Sequence, residues 1–154
     1  MLMRTIRTEE EEGASAALGD DDPDEELAGV ENIKVKRRDV ATLQPGPWLN
    51  DEVVNLFFKV LSYRALSYVE MPTCHYMNSM FYPKLAESHI GYNYQNVRNW
   101  TSNSDIFSKD LVLVPIHCHG NHWALAVINN KQKRFEYFDS LRGSPGAVLR
   151  HLRQ

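Results

Sequence analysis

Two side chains in this sequence, His122 and Asp139, have the types and setting of a general base and the acid that orients it. His122 opens an apolar run that continues to Ile128, and Asp139 closes a second run, Phe135 to Phe138. If these runs are antiparallel strands joined by the polar turn Lys131-Gln132-Lys133, both residues fall at the same end of one sheet. A carboxylate there can hold an imidazole in one tautomer and orientation, as base catalysis requires. Spacing alone favours the plainer reading, a histidine hydrogen-bonded for structural reasons and an aspartate that starts a turn.

Other chemistry has weaker spacing. His117, Cys118, His119 and His122 fall within six residues, and Cys74-His75 offers two more ligand types. Structural zinc sites carry ligand pairs of the C-x-x-C kind, which this sequence lacks. Neighbours on a strand also point to opposite faces, so His117 and Cys118 do not chelate together easily. No metal site is therefore expected. Cys118, four residues before His122, reads as a hairpin-turn residue without a positioned partner, and Cys74 as part of a loop-like stretch. Neither has the setting of a nucleophile.

The elements that must hold His122 and Asp139 follow from periodicity. Leu111 to Ile116, His122 to Ile128 and Phe135 to Phe138 read as three strands of a meander, the middle one apolar on both faces. Ahead of them, Asn50 is a good N-cap, with Asp51 and Glu52 in the first turn. Leu49, Val53, Leu56, Phe57, Val60 and Leu61 follow with helical spacing. Weaker helical stretches run from about Asn78 to Ser88, with Pro83 inside, and from Tyr94 to Trp100. Pro145 through Leu152 could open another helix. Helices first and a meander later indicate an α+β fold.

Charge divides the chain. Residues 1–30 hold ten acidic and two basic side chains, a balance of −8, and no aromatic residue; residues 31–154 hold ten acidic and fifteen basic, a balance of +5. The first segment reads as a disordered acidic tail, because it cannot bury enough apolar surface to offset its ordering entropy. The folded region is expected from about residue 31, with a short edge strand at Ile33-Lys34-Val35. Lys34-Val35-Lys36-Arg37-Arg38 is a weak match to a nuclear-import patch, and no basic stripe is dense enough to indicate nucleic acid. No apolar run has the length of a membrane span, and the first eight residues lack a signal peptide's apolar stretch. Two cysteines make no secreted disulfide framework, so a reducing intracellular setting is expected.

Several segments, in order, resemble one family. They are Trp48-Leu49-Asn50-Asp51-Glu52-Val53-Val54-Asn55, Val114-Pro115-Ile116-His117, His122-Trp123 through Asn130, and Tyr137-Phe138-Asp139-Ser140-Leu141. Cys74 through Tyr82 and Tyr92 through Thr101 also match. Together they are similar to the Ulp/sentrin-specific proteases, plant-type members in particular, which are cysteine proteases that process SUMO and remove it from target lysines. The resemblance implies a papain-like cysteine-protease fold over residues 31–154. It implies His122 as the triad's base, Asp139 as its orienting residue, and no cofactor. It also implies that Trp48 and Trp123 close over a substrate's Gly-Gly tail and that Asp51 faces a ubiquitin-like partner. The hairpin His117-Cys118-His119-Gly120-Asn121-His122 is one residue longer than the family pattern. The family's Gln-x-Asn-x-x-Asp-Cys-Gly segment, source of the nucleophile and the oxyanion glutamine, does not occur in these residues. The expectation is a catalytic domain cut short of its nucleophile and inactive alone; the alternative is a non-catalytic binding module for a ubiquitin-like protein.

Overall fold

The computed structural model describes residues 8–87 and 91–154. The chain divides into two compact units, residues 1–56 and 57–154, and the division falls inside a helix.

The first unit contains α1 (Thr8–Ala17), β1 (Glu26–Val30), β2 (Ile33–Lys36), α2 (Arg37–Val40) and the opening of α3 (Asp51–Ser67). β1 and β2 form an antiparallel hairpin, from Val30 opposite Ile33 to Glu26 opposite Lys36. Its turn carries Glu31 at φ +55°, in the left-handed region. Ile33 and Val35 point inward and are buried. This corrects the expectation of a structureless segment over residues 1–30, of which residues 1–7 lie outside the description. The composition argument counted acidic charge within its own window. It left out the cations of residues 34–38, which face that acidic charge. Lys34 pairs with Glu26 at 2.8 Å, Lys36 with Asp24 at 2.9 Å and Arg38 with Asp24 at 2.7 Å. Arg37 is 7% exposed and bonds to Glu25 and to the carbonyl oxygen of Ala16 in α1.

The expected cap of α3 is present: Asn50 Oδ1 accepts from the Val53 N–H at 3.1 Å. Asn50 Nδ2 in turn donates to Asp39 Oδ1 at 2.8 Å, while Asp39 Oδ2 accepts from the Lys36 N–H. Of the helix's apolar face, Val53 is buried, but Phe57 and Val60 are exposed. Periodicity identifies a face without identifying what covers it.

The second unit is built on a four-stranded sheet in the order β3-β6-β7-β8. The strands are β3 (Cys74–Tyr76), β6 (Leu111–Cys118), β7 (His122–Asn129) and β8 (Arg134–Phe138). The last three form the expected antiparallel meander. β3, read from sequence as a loop, instead adds parallel to β6, with Tyr76 opposite Leu113. Three residues are too short for a periodic signal, so its pairing was not visible in the sequence. The unit also has α4 (Phe81–Leu85), the antiparallel pair of two-residue strands β4 (Ala86–Glu87) and β5 (Gly91–Tyr92), and α5 (Val148–His151).

The helix expected from Asn78 to Ser88 is thus five residues long and gives way to β4; Ser88 itself lies outside the description. Pro83 is tolerated because it sits in the first turn, where its missing N–H has no intrahelical acceptor. The Tyr94–Trp100 stretch is a single 3₁₀ turn at Tyr94–Asn96 followed by turns. Alternation puts Val112, Val114, Ile116, Ala124 and Ala126 on one sheet face, where α4 adds Phe81 and Leu85 and α5 adds Val148. On the other face Phe58 of α3 stacks on Tyr76, ring centroids 6.3 Å apart. The α+β class stands.

Candidate active site

The β7–β8 register pairs Leu125 with Phe138, which puts His122 and Asp139 at one end of the sheet. Their side chains meet: His122 Nε2 lies 2.7 Å from Asp139 Oδ1. Both side chains are largely buried, at 11% and 7% exposed. Since a carboxylate accepts, Nε2 carries the proton and Nδ1 becomes the basic nitrogen. Spacing favoured a structural histidine over a catalytic base; this geometry supplies the oriented imidazole that a base requires.

Asp139 is itself held by the turn after β8. Its Oδ1 also accepts from the Leu141 N–H at 2.8 Å, and its Oδ2 from the Gly143 N–H at 3.1 Å. The Arg142 N–H bonds back to the Asp139 carbonyl at 3.0 Å, with Arg142 at φ +58°. The hydrogen bond from His122, with those from the backbone, holds the Asp139 carboxyl below the usual carboxylate range. The carboxylate is therefore ionised and fixed before any substrate arrives.

Gly143 was not singled out from sequence, yet the turn depends on it. A Cβ there would stand 2.3 Å from Asp139 Oδ2, far inside contact distance. An aspartate at a strand end followed by glycine four residues later is a turn signal that could have pointed to it.

The hairpin before His122 closes through His119 at φ +53° and Gly120 at φ +85°. Cys118 is in β6, directly opposite His122, rather than in the turn as read from sequence. Its sulfur lies 3.7 Å from the Tyr137 hydroxyl and 3.7 Å from the Ile116 carbonyl oxygen. Burial, with a contribution from the Cys118 contact, pushes the Tyr137 hydroxyl well above its ordinary value. Cys74 donates to the Pro72 carbonyl at 3.3 Å, and burial, reinforced by Asp110, pushes its thiol up. A nucleophilic cysteine needs the opposite shift. Among the described residues no three of His, Cys, Asp and Glu come together as a metal-ligand set.

Trp123 is half-buried and points to the face opposite His122, where the cross-strand His117 stacks on it. Trp48 and Asp51 belong to the first unit; Trp48 is 53% exposed, and Asp51 lies in the first turn of α3. The structure thus joins His122 to Asp139 and sets Trp123 beside the base in sequence.

Comparison with known proteins identifies the family and the fold. Residues 47–154 match the family model described as the Ulp1 protease family, C-terminal catalytic domain. Ubiquitin-like-specific protease 1A of Arabidopsis thaliana is 41% identical over 123 residues, covering 77% of this chain and 24% of that protein. Sentrin-specific protease 2 of Rattus norvegicus is 38% identical over 131 residues, covering 85% of this chain and 21% of that protein. The chain therefore spans about a quarter of the length of these curated relatives. Among solved structures, the C-terminal Ulp1 protease domain in complex with Smt3, the yeast ortholog of SUMO, superimposes with a TM-score of 0.82 at 30% identity. That superposition covers 99% of this chain and 67% of the other. A Ulp1 structure with its catalytic cysteine oxidised to a sulfenic acid fits equally well, also with a TM-score of 0.82. With this fold and the family match over most of its length, the chain belongs to the Ulp1 protease family of cysteine peptidases.

Proposed function

We propose that this chain carries the acid–base half of a cysteine peptidase that cuts after the Gly-Gly tail of SUMO or another ubiquitin-like protein. The observation that carries the reading is the His122–Asp139 contact of 2.7 Å, with Asp139 held by two backbone N–H groups. In the complete reaction His122 Nδ1 takes the proton of a cysteine thiol, and the thiolate attacks the carbonyl carbon of the terminal glycine. The imidazolium then returns that proton to the leaving amine, and water releases the acyl group. Asp139 stabilises the imidazolium between these transfers.

Trp48 and Trp123 are proposed as contacts for the Gly-Gly tail, since flat indole faces admit glycine and reject larger side chains. Asp51, in the first turn of α3, is a further proposed contact. Support comes from the family match and from a solved relative bound to the yeast ortholog of SUMO. A nuclear location rests on the family resemblance alone: Lys34, Lys36, Arg37 and Arg38, the residues of the import-like run, are each paired within the hairpin unit.

The 154 residues hold two cysteines, and neither Cys74 nor Cys118 has a nucleophile's setting. Loss of the nucleophile costs about six orders of magnitude in a comparable triad enzyme. The polypeptide alone is therefore expected to bind a ubiquitin-like protein without turning it over. Incubation with a SUMO precursor tests this: maturation at enzymatic rates would overturn it and point to Cys118. The exposure of Trp48 favours the second reading, a non-catalytic binding module. Binding of mature SUMO that is lost in Trp48→Ala supports recognition, and the absence of any binding removes the binding-module reading.

A further inference from the structure

Trp123 has a partner that the reaction does not use. His117 lies directly opposite it across the β6–β7 ladder, and the two rings stack with centroids 4.5 Å apart and planes 25° from parallel. That distance is at the close end of the range for aromatic pairs, and a directly opposed cross-strand pair holds both rings in register. Eight consecutive residue pairs, from Leu111–Asn129 to Cys118–His122, link the two strands, so both ring attachments are fixed. Period-2 alternation directs this pair to the face opposite His122 and Cys118.

The burial pattern separates this contact from ordinary core packing. His117 is exposed while Trp123 is half-buried, so the imidazole covers the indole without entering the hydrophobic cluster. A half-buried indole has two side-chain torsions to settle. A stacked ring beside it removes alternatives at little cost in apolar burial.

We propose that His117 is a positioning residue for substrate recognition: its imidazole holds the Trp123 indole in the orientation that meets the Gly-Gly tail. This rests on the reading of Trp123 as a tail contact. His117 acts through the indole and takes no part in proton transfer. Loss of a stack of this kind weakens binding by about two- to tenfold.

The test uses the full chain labelled with 5-fluorotryptophan, whose three tryptophan resonances are assigned by single Trp→Phe variants. His117→Ala is expected to move the Trp123 resonance, leave that of Trp100 in place and still melt cooperatively. The same variant is expected to weaken calorimetric binding of mature SUMO by about two- to tenfold, and His117→Phe to restore both signals. A Trp123 resonance unmoved by His117→Ala overturns the proposal. So does unchanged binding in His117→Ala when Trp123→Ala reduces it. If Trp123→Ala leaves binding intact, or the unmodified chain binds nothing, the recognition reading itself fails and the proposal falls with it. The fluorine signal, independent of SUMO, tells these failures apart.

Discussion

The hairpin unit and the meander unit each hold carboxylates against basic side chains, by different means. In the first, Asp24, Glu25 and Glu26 face Lys34, Lys36, Arg37 and Arg38, and all of these except Arg37 remain substantially exposed. Asp24 serves two cations, and Arg37 also has Asp21 at 3.7 Å. In the second, one carboxylate meets one imidazole, both nearly covered, with backbone N–H groups on the remaining lone pairs. The exposed cluster is redundant, so its geometry can change without losing the contact. The buried pair has one arrangement. Exposed pairs are screened by water and salt and contribute little each, whereas a pair fixed by backbone donors keeps its geometry. The first organisation suits holding a segment in place, and the second suits chemistry.

The largest effect expected to test this contrast is catalytic. In a chain extended by the family's nucleophile segment, His122→Ala should lower kcat by about 10⁶, and Asp139→Asn by about 10⁴. Steady-state hydrolysis of a SUMO precursor measures both. An Asp139→Asn loss below tenfold would put the pair among the replaceable ones. Next is Gly143→Ala, whose Cβ would collide with Asp139 Oδ2. Loss of the low-field Nε2 proton of His122 from NMR spectra, in a protein that still melts cooperatively, is the expected outcome. As a stability reference, Ile116→Ala in the same unit should cost about 2–5 kcal/mol in denaturant unfolding, because Ile116 is only 2% exposed.

Solution conditions give smaller, opposed effects. Asp139 and Asp24 both have lowered carboxyl pKa values. Each therefore contributes stability present above the ordinary carboxylate pKa and lost as pH falls through the lower folded value. Acid weakens both regions. In alkali, Lys34 is raised by its hydrogen bond to Glu26, so its contribution is full below the ordinary lysine pKa and lost as pH rises through the folded value. The hairpin amides around Lys34 and Glu26 should shift in that alkaline window. Raising salt to about 1 M, where the Debye length is about 3 Å, should likewise speed amide exchange in β1 and β2 while leaving the His122 signal unchanged. Smallest of all, Lys34→Ala should leave the denaturation midpoint where it is, since Lys36, Arg37 and Arg38 retain their partners.

Much of the second unit was legible in the sequence because its signals are local. The runs from Leu111 to Phe138 alternate strongly, their turns are polar, and together they set the His122–Asp139 pairing. β3 was not legible, since three residues paired to a distant strand leave no period. Nor was the order in residues 8–30, whose Asp24, Glu25 and Glu26 meet cations from residues 34–38, outside the window that composition weighs. Cys118 was assigned to the turn because His119-Gly120-Asn121 suffices to close it, so β6 runs further than the glycine suggests. Gly143 offered a turn signal four residues after Asp139, but how closely it approaches Asp139 Oδ2 shows only once the carboxylate is placed beside it.

The separation of His122 and Asp139 along the chain has a kinetic consequence. The pair is 17 residues apart and is closed by a single strand-to-strand turn. Loop closure over so short a stretch costs little entropy, and contacts of low sequence separation form early in folding. The imidazole can thus reach its working orientation during chain growth, before any more distant group has joined the fold. What joins later meets a base already aimed.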